Sequence, residues 1–169
     1  MGKYLLGLDC GHTVTKAVLF DLTGKQLSVG KGKNIQISQH PGWQERTMHD
    51  AAEAALDAIS EAIKKIDSSE IVAVGVAGHG DGIYLLDKHH QPLRNAIFAT
   101  DNRASAIATE INRVHGDALM KSMGQHLFAA SPMALLSWMK HEEPEKYQNI
   151  GAVLQCKDWI RTVLRSEEH

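Results

Sequence analysis

The most constraining feature of this 169-residue sequence is the stretch from Gly7 to Asp21, in which two apolar segments flank a short polar turn. The apolar run from Tyr4 to Leu8 predicts a strand that carries Asp9 to its end. Alternating apolar residues from Val14 to Phe20 predict a second strand that returns antiparallel to the first. The sequence therefore predicts a hairpin with a glycine, Gly11, in its connection.

The composition of this connection is typical of a phosphate-binding turn. Because glycine has no side chain, backbone N–H groups near Gly11 can approach phosphate oxygens, while Thr13 and Thr15 add hydroxyl donors. Lys16 offers a positive charge, and Asp9 would hold Mg²⁺ through water, since this cation uses few carboxylates and keeps much of its hydration. An ordinary hairpin turn explains the local pattern about as well.

Wider context favours the phosphate site. The segment lacks the features of a P-loop and the glycine spacing of a dinucleotide fingerprint. It resembles the first phosphate motif of the sugar kinase, heat-shock protein and actin superfamily. Four further blocks follow in order, and together with the first motif they resemble the FGGY carbohydrate kinases from Tyr4 to about Leu164. The blocks are residues 41–46, 75–82, 95–103 and 136–147.

Within that family, the sequence is most similar to the L-xylulose kinase branch. The resemblance implies an α/β fold of the ribonuclease H-like type, in the actin-like ATPase superfamily, with a mixed central sheet flanked by helices. It implies transfer of the γ-phosphoryl group of ATP to a sugar hydroxyl, with Mg²⁺ as the metal. Asp9 would hold the metal, and six residues would contact the nucleotide phosphates: Asp9, Gly11, His12, Thr13, Thr15 and Lys16.

His12 departs from the family pattern, which often has glycine, serine or threonine at this position. A histidine here either contacts phosphate, which would make nucleotide affinity pH-dependent, or lies exposed in the turn.

The loop from Gly78 to Gly82 aligns with the family loop that contacts the sugar. Its glycines leave room for a polyhydroxylated ligand beside Gly80, and His79 and Asp81 provide polar groups. The alternative is a glycine-rich turn in which Asp81 is only a turn former.

The resemblance also assigns Trp43, Glu45, Asp101 and Arg103 to the sugar cleft. An internal salt bridge is the alternative for Asp101 and Arg103. Anchoring of their loop to the core is the alternative for Trp43 and Glu45.

Two departures bear on the substrate. Many relatives carry tryptophan at the position of Ala99, and glycerol-specific members carry an arginine–glutamate pair in place of Gly80 and Asp81. Glycerol is therefore disfavoured, and a larger ketose or polyol, such as the ketopentose L-xylulose, fits better.

The resemblance further implies that members of the family are longer, two-domain proteins. We assign residues 1–164 to the N-terminal domain and 165–169 to a divergent tail, and we expect the C-terminal kinase domain, the natural partner, to be missing. The general base, an aspartate, and the adenosine motif would lie beyond this sequence. We therefore expect no catalytic residue here and no activity from the fragment alone, and the exposed domain surface indicates a possible homodimer.

Composition favours a cytoplasmic globular domain, since 43% of the residues are hydrophobic, 22% are charged and the formal net charge is -2. Basic residues are scattered, which argues against nucleic acid, and no apolar run approaches the length of a membrane span. Cys10 and Cys156 lack metal-ligand spacing, so we expect both to be reduced and structural. The dispersed histidines predict no structural metal.

Periodicity predicts the remaining elements. They are a strand over residues 26–33, an irregular loop over 34–46, a central strand over 71–77 with helices on both sides, and a strand over 83–86. A helix after Thr47 has Ala52, Leu56, Ile59, Ile63 and Ile66 as its predicted apolar face. A second helix, over 104–114, should end at Gly116, and a third should run from Ser131-Pro132 to about His141 with Met133, Leu136 and Met139 inward.

Two other functions remain open. The first is a sugar-binding or regulatory module without phosphoryl transfer, which would not require the set of Asp9, Thr13, Thr15 and Lys16. The second is an actin-like or chaperone-like ATPase, which leaves the loops at 41–43 and 78–82 unexplained. Magnesium-dependent ATP binding distinguishes the kinase from the sugar-binding module.

Overall fold

The structure is a computed structural model that describes residues 3–165, and the chain divides into two compact units. Within the described residues, the first unit comprises 3–35, 48–79 and 155–165, and the second comprises 36–47 and 80–154. No helix among these residues combines the length and the hydrophobicity needed to cross a membrane.

The strands are β1 (Tyr4–Cys10), β2 (Val14–Asp21), β3 (Gln26–Lys33), β4 (Glu45–Arg46), β5 (Ile71–Gly78), β6 (Tyr84–Asp87), β7 (Ala96–Ile97) and β8 (Ile150–Leu154). The α-helices are α1 (Met48–Ile63), α2 (Ser105–Met123), α3 (Pro132–Glu142), α4 (Pro144–Gln148) and α5 (Cys156–Arg165). A 3₁₀ turn at Ser68–Glu70 precedes β5.

The first unit contains a mixed four-stranded sheet in the order β3-β2-β1-β5. β1 pairs antiparallel with β2 and parallel with β5, and β2 pairs antiparallel with β3. The predicted hairpin and the predicted third strand, β3, are therefore confirmed. The turn between β2 and β3 is held by Asp21, whose carboxylate accepts hydrogen bonds from Thr23 and from the backbone N–H of Lys25. These donors, the Thr23 hydroxyl first, hold the pKa of the Asp21 carboxyl below its ordinary value.

Side chains alternate between the two faces of this sheet. Buried residues of β1 and β2 face the helices, and α1 contacts β2 and β3 while α5 contacts β5 and α1. We call the opposite side the open face, because its residues are exposed or half-buried among residues 3–165. In β1 and β2 the open face consists of Leu5, Gly7, Asp9, Lys16, Val18 and Phe20.

α1 packs through alanines, and the predicted apolar face is only partly correct, since Ala52, Ile59 and Ile63 are half-buried. The buried residues of this helix are Met48, Ala51, Ala54, Ala55, Ala58 and Ala62, whereas Leu56 is 46% exposed. The reason is a close approach of two backbones. A Cβ atom added to Gly32 would lie 1.8 Å from the carbonyl oxygen of Ala54, and one added to Gly30 would lie 2.0 Å from that of Ala58. Only small side chains fit such an interface.

β5 is an edge strand of the sheet, so the predicted central position is wrong. Val72 and Val74 are 51% and 48% exposed. A run that is apolar on both faces predicts a strand with neighbours on both edges. Among residues 3–165, β5 pairs only with β1, and no strand pairs with its other edge.

The second unit contains two small antiparallel sheets, β4 with β7 and β6 with β8. β6 confirms the predicted strand at 83–86, while β4 lies in a segment predicted to be irregular. β8 was not predicted. The sheets and α2 and α3 share one apolar core, formed by Ile83, Leu85, Ile97, Ala104, Ala108, Leu119, Leu127, Ala130, Ala134, Leu135, Trp138 and Met139.

α2 continues past Gly116, so the predicted end of this helix is wrong. The helix ends at Gly124, which has a φ of 73° and donates its N–H to the carbonyl oxygen of Met120 at 3.0 Å. Gly116 lies inside the helix instead, where an added Cβ would lie 3.0 Å from the ring of His126.

α3 begins at the predicted proline, Pro132, but only part of its predicted inner face is correct. Met139 is buried and Leu136 is partly buried, whereas Met133 is 47% exposed. The hydroxyl of Ser131 accepts the N–H of Phe128 at 3.0 Å and makes no cap bond to the helix.

The backbone approach between α1 and β3 yields a stability prediction. Gly32→Ala should lower the free energy of unfolding by about 1–3 kcal/mol or more, because the new methyl group would overlap the Ala54 carbonyl. Gly75→Ala is the matched control, since no atom lies within 4 Å of a Cβ at that strand position. Urea unfolding of both variants tests this, and equal stabilities would contradict the close packing.

Candidate functional site

Asp9 and Lys16 are directly opposite each other in the β1–β2 pairing. Opposite residues of an antiparallel pair project from the same side of a sheet, so both side chains lie on the open face. Both are exposed. Within residues 3–165, neither side chain makes a hydrogen bond or an ion pair, so both charges are available to a ligand.

A depression of about 460 Å³ lies beside this charge pair. Gly7 and Gly75 pair on adjacent strands and contribute no side chains to its floor, which leaves this space open. Besides Asp9 and Lys16, it is lined by Gly7, Leu8, Val18, Phe20, Gly75, Val76 and Ala77.

The turn between β1 and β2 is held by a residue that the sequence analysis missed, Asn34. Its amide nitrogen donates to the carbonyl oxygens of Gly11 and His12 at 2.8 and 3.3 Å. Its amide oxygen accepts the hydroxyl of Thr15 at 3.1 Å. The Thr15 side chain is buried and supports the turn, and its predicted bond to phosphate would compete with Asn34. Thr13 is exposed in the turn.

His12 and His79 come together in the first unit. Their rings stack with centroids 4.2 Å apart and planes 26° apart. The backbone N–H of His79 also donates to the carbonyl oxygen of Cys10 at 3.2 Å. His12 is half-buried, so the structure differs from the expectation of an exposed turn residue. A predicted phosphate residue and a predicted sugar residue are thus in direct contact.

Both cysteines are buried and form no disulfide, which agrees with their expected structural role. The Cys156 thiol lies 3.8 Å from the carbonyl oxygen of Cys10, at the start of α5. Among residues 3–165, one group of three potential metal ligands occurs, at His49, Asp50 and Glu53 on the surface of α1.

The loop after His79 continues in the second unit with two residues in the left-handed region. Asp81 has a φ of 55° and Gly82 a φ of 67°. A Cβ on Gly82 would lie 2.2 Å from the carbonyl oxygen of Ile97, so this position requires glycine. Aspartate tolerates the left-handed conformation better than most residues. Within residues 3–165 its carboxylate makes no hydrogen bond and is half-buried, while Gly80 is exposed.

The other predicted sugar residues form a buried group in the second unit, which we call the Arg103 cluster. Its members are Trp43, Glu45, Arg94, Asp101, Arg103 and Trp138. The Arg103 guanidinium donates to both carboxylate oxygens of Asp101, at 2.9 and 2.8 Å, and lies 2.7 Å from Glu45. Its carbon lies 3.9 Å from the ring centroid of Trp43.

Asp101 has little capacity left for a ligand. Besides Arg103, it accepts the backbone N–H groups of Gln44 and Arg103 at 2.7 and 2.9 Å. The side chains of Asp101 and Arg103 are both 0% exposed. The internal salt bridge, which was the alternative interpretation, is therefore present. Sugar contact by Asp101 would require these bonds to break, whereas Nη1 of Arg103 is buried without a hydrogen-bond partner among residues 3–165.

Glu45 and Trp43 are also held within the second unit. Glu45 is bound by Arg94 at 2.6 Å and by the Asn95 amide at 3.1 Å, and Arg94 pairs with Glu143 as well. The ring of Trp43 meets that of Trp138 edge-on, with centroids 5.3 Å apart. Arg94 was not among the predicted site residues, because nothing in the sequence around it indicated that it pairs with a carboxylate.

The Arg103 cluster yields a prediction about stability. Arg103→Met should lower the free energy of unfolding by about 3–5 kcal/mol, because it leaves the buried carboxylate of Asp101 without its cation. Arg113→Met is the matched control. This residue forms an exposed pair with Glu110, in which the side chains are 70% and 61% exposed, so its loss should cost less than about 1 kcal/mol. Thermal unfolding of the two variants distinguishes them, and a similar small loss in both would contradict a buried network.

The N-terminal domain model of the FGGY family of carbohydrate kinases matches residues 4–169, which includes the residues that we set apart as a tail. Of these, 166–169 lie outside the described residues.

Curated relatives include an L-xylulose/3-keto-L-gulonate kinase of Escherichia coli, 35% identical over 97% of this chain and 34% of its own length. A probable L-xylulose kinase of Pasteurella multocida is also 35% identical, over 99% of this chain and 35% of its own length. An autoinducer-2 kinase of Salmonella paratyphi B is 30% identical, over 98% of this chain and 32% of its own length. The chain thus spans about a third of the length of the curated relatives it matches.

Solved structures agree in fold. A xylulose kinase from Brucella ovis superposes with a TM-score of 0.86 at 29% identity, over 94% of this chain and 34% of that one. A gluconate kinase from Lactobacillus acidophilus gives a TM-score of 0.88 at 25% identity, over 95% of this chain and 32% of that one. The predicted fold class, a mixed α/β domain of the actin-like ATPase superfamily, is confirmed. The chain belongs to the FGGY family of carbohydrate kinases, and its similarity is to their N-terminal domain.

Proposed function

We propose that this chain serves in the ATP-dependent phosphorylation of a sugar hydroxyl, as the phosphate- and sugar-binding N-terminal domain of a carbohydrate kinase. We place that domain at residues 1–164. The observation that carries the proposal is the exposed pair of Asp9 and Lys16, which stand opposite each other on adjacent strands without a partner among residues 3–165. Two opposite charges kept apart in this way suit a ligand that itself carries both signs, such as magnesium-bound ATP.

The residues present fit a magnesium ion. Asp9 is a single exposed carboxylate, and Mg²⁺ is typically bound by one or two carboxylates together with water and substrate phosphates. When bound, the ion would neutralise charge on the transferring phosphoryl group. Lys16 would neutralise further phosphate charge from the neighbouring strand.

The turn would position the phosphates. Backbone N–H groups around Gly11 and the hydroxyl of Thr13 are the donors nearest the charge pair in sequence, while Asn34 and Thr15 keep the turn in one conformation. Phosphoryl transfer depends mainly on such positioning and on charge neutralisation. A turn that is already ordered by side-chain hydrogen bonds loses less entropy when phosphate binds.

We propose His79, Gly80 and Asp81 as the sugar-binding residues. The carboxylate of Asp81 has unused acceptor capacity among the described residues, and the exposed Gly80 permits close approach. The names of the relatives support a ketose, and L-xylulose is the first candidate. We propose that Trp43, Glu45, Asp101 and Arg103 act mainly by fixing their loops, because Arg103 is bound to both carboxylates and lies over the ring of Trp43.

We expect the chain alone to bind its ligands without turnover. Proton abstraction needs a carboxylate with a free oxygen close to the reacting hydroxyl, and both oxygens of Asp101 are occupied. We assign Asp81 to sugar binding, so the base and the adenosine site would come from a C-terminal kinase domain. The exposed apolar residues of the open face and of β5 would otherwise favour a homodimer. A cytoplasmic location remains a prediction.

A sugar-binding or regulatory module is the second candidate function. Sugar binding at His79 and Asp81 without nucleotide binding by the chain would favour it. Binding of ATP separates the two functions, because only the kinase needs the Asp9–Lys16 pair.

We predict that the chain binds ATP in a magnesium-dependent manner and that Lys16→Ala weakens this binding about tenfold or more, since a hydrogen bond to a charged group contributes about 1.5–3 kcal/mol. Lys25→Ala is the matched control, because Lys25 is an exposed lysine at the far end of β2, beyond the turn at Asp21. Isothermal titration calorimetry with and without Mg²⁺ measures both variants.

Two results would count against the kinase. Absence of ATP binding by a folded sample would favour the sugar-binding module. Equal affinities of the Lys16 and Lys25 variants would show that ATP binds elsewhere than at the proposed turn.

A further inference from the structure

We infer that His12 is a positioning residue for His79, and that it links the phosphate turn to sugar binding. The inference rests on the proposed function of His79. Neither the spacing of the two residues nor their resemblance to family motifs indicated a contact between them. The structure brings their rings to 4.2 Å, centroid to centroid, in a stacked arrangement.

The sheet explains why the two residues meet. β1 and β5 are parallel, and Cys10 pairs with Gly78 at the ends of these strands. The residues that follow parallel strands leave the sheet at the same edge. The turn after β1 and the first residue after β5 are therefore neighbours, and the His79 N–H bonds the Cys10 carbonyl at 3.2 Å.

The contact constrains the ring of His79. Its backbone is fixed to β1 by the bond to Cys10. The ring of His12 lies nearly parallel to the imidazole of His79, at an angle of 26°, and limits its rotation. A side chain that is already held in one orientation loses less entropy when it binds a sugar.

His12 is itself fixed by the phosphate turn. The amide of Asn34 donates to the carbonyl oxygens of Gly11 and His12, and Asn34 accepts the hydroxyl of Thr15. A phosphate that binds the N–H groups of this turn acts on the same peptide groups. A ligand on the turn can therefore change the orientation of His79 through His12, and by linkage a sugar on His79 changes the affinity of the turn to the same extent.

The stacking role predicts different outcomes for two substitutions of the same residue. His12→Ser removes the ring, whereas His12→Phe keeps a flat aromatic ring and removes the imidazole nitrogens. We expect His12→Ser to weaken L-xylulose binding about two- to tenfold, the range that corresponds to loss of one aromatic pair, and His12→Phe to restore the affinity to within about twofold. Isothermal titration calorimetry measures the affinities of both variants.

His49→Ser is the matched control. His49 lies on α1 with its side chain 79% exposed, so its loss should leave the sugar affinity unchanged. Equal affinity of His12→Ser and the unsubstituted chain would overturn the inference. Equal weakening by serine and phenylalanine would also overturn it, because the imidazole of His12 would then be a ligand and its stacking would be irrelevant.

A second readout separates this inference from the proposed function. Nuclear magnetic resonance of the His79 ring hydrogens reports the stack directly, through the ring current of His12, without any sugar. We expect these signals to shift in His12→Ser, and to shift on addition of magnesium and ATP more in the unsubstituted chain than in His12→Ser. If L-xylulose fails to bind the unsubstituted chain, the sugar assignment is wrong. If the His79 signals are the same in His12→Ser, the positioning role is wrong.

Discussion

The parallel pairing of β1 with β5 is the interaction on which the candidate site depends. It brings the turn after β1 beside His79, although the two segments are far apart in the chain. The connection between these strands runs through α1, which can lie close to the sheet because Gly30 and Gly32 face its alanines. Antiparallel pairing of β1 with β2 then places Lys16 opposite Asp9. The charges of the site are thus fixed by sheet register.

Two groups of polar residues, one in each unit, differ in the exposure and the pairing of their charges. Asp9 and Lys16 are exposed and, among residues 3–165, without partners, so a ligand can bind them at little desolvation cost. The charges of the Arg103 cluster are buried, and burial of a charge is tolerated only when it is paired. The first group therefore suits ligand binding, and the second suits the fixing of loops. Residues from both groups resemble family motifs, so a motif alone does not distinguish an exposed charge from a buried and paired one.

The sequence predicted β1, β2 and β3 well, because alternation and turn chemistry are local signals that require no knowledge of neighbours. Predictions from the sequence were wrong where packing against another element determines which residues are buried. The buried face of α1 is set by glycines on another strand. α2 continues through Gly116 to a C-cap at Gly124, where the backbone adopts the left-handed conformation. For Asp101 and Arg103, spacing allowed either a salt bridge or a sugar contact, since burial cannot be derived from it. The stack of His12 on His79 was not predictable, because it depends on a pairing between distant strands.

The central claim is that ligands bind at the exposed charges of the turn and at the loop after β5, and that the Arg103 cluster is structural. Two-dimensional nuclear magnetic resonance of the isotope-labelled chain, titrated with magnesium, ATP and L-xylulose, tests it most directly. The account predicts that backbone signals from Asp9 to Lys16 and over residues 78–82 shift, while the side-chain signals of Arg94 and Arg103 stay in place. Large shifts of the arginine signals without any change in the turn would contradict it.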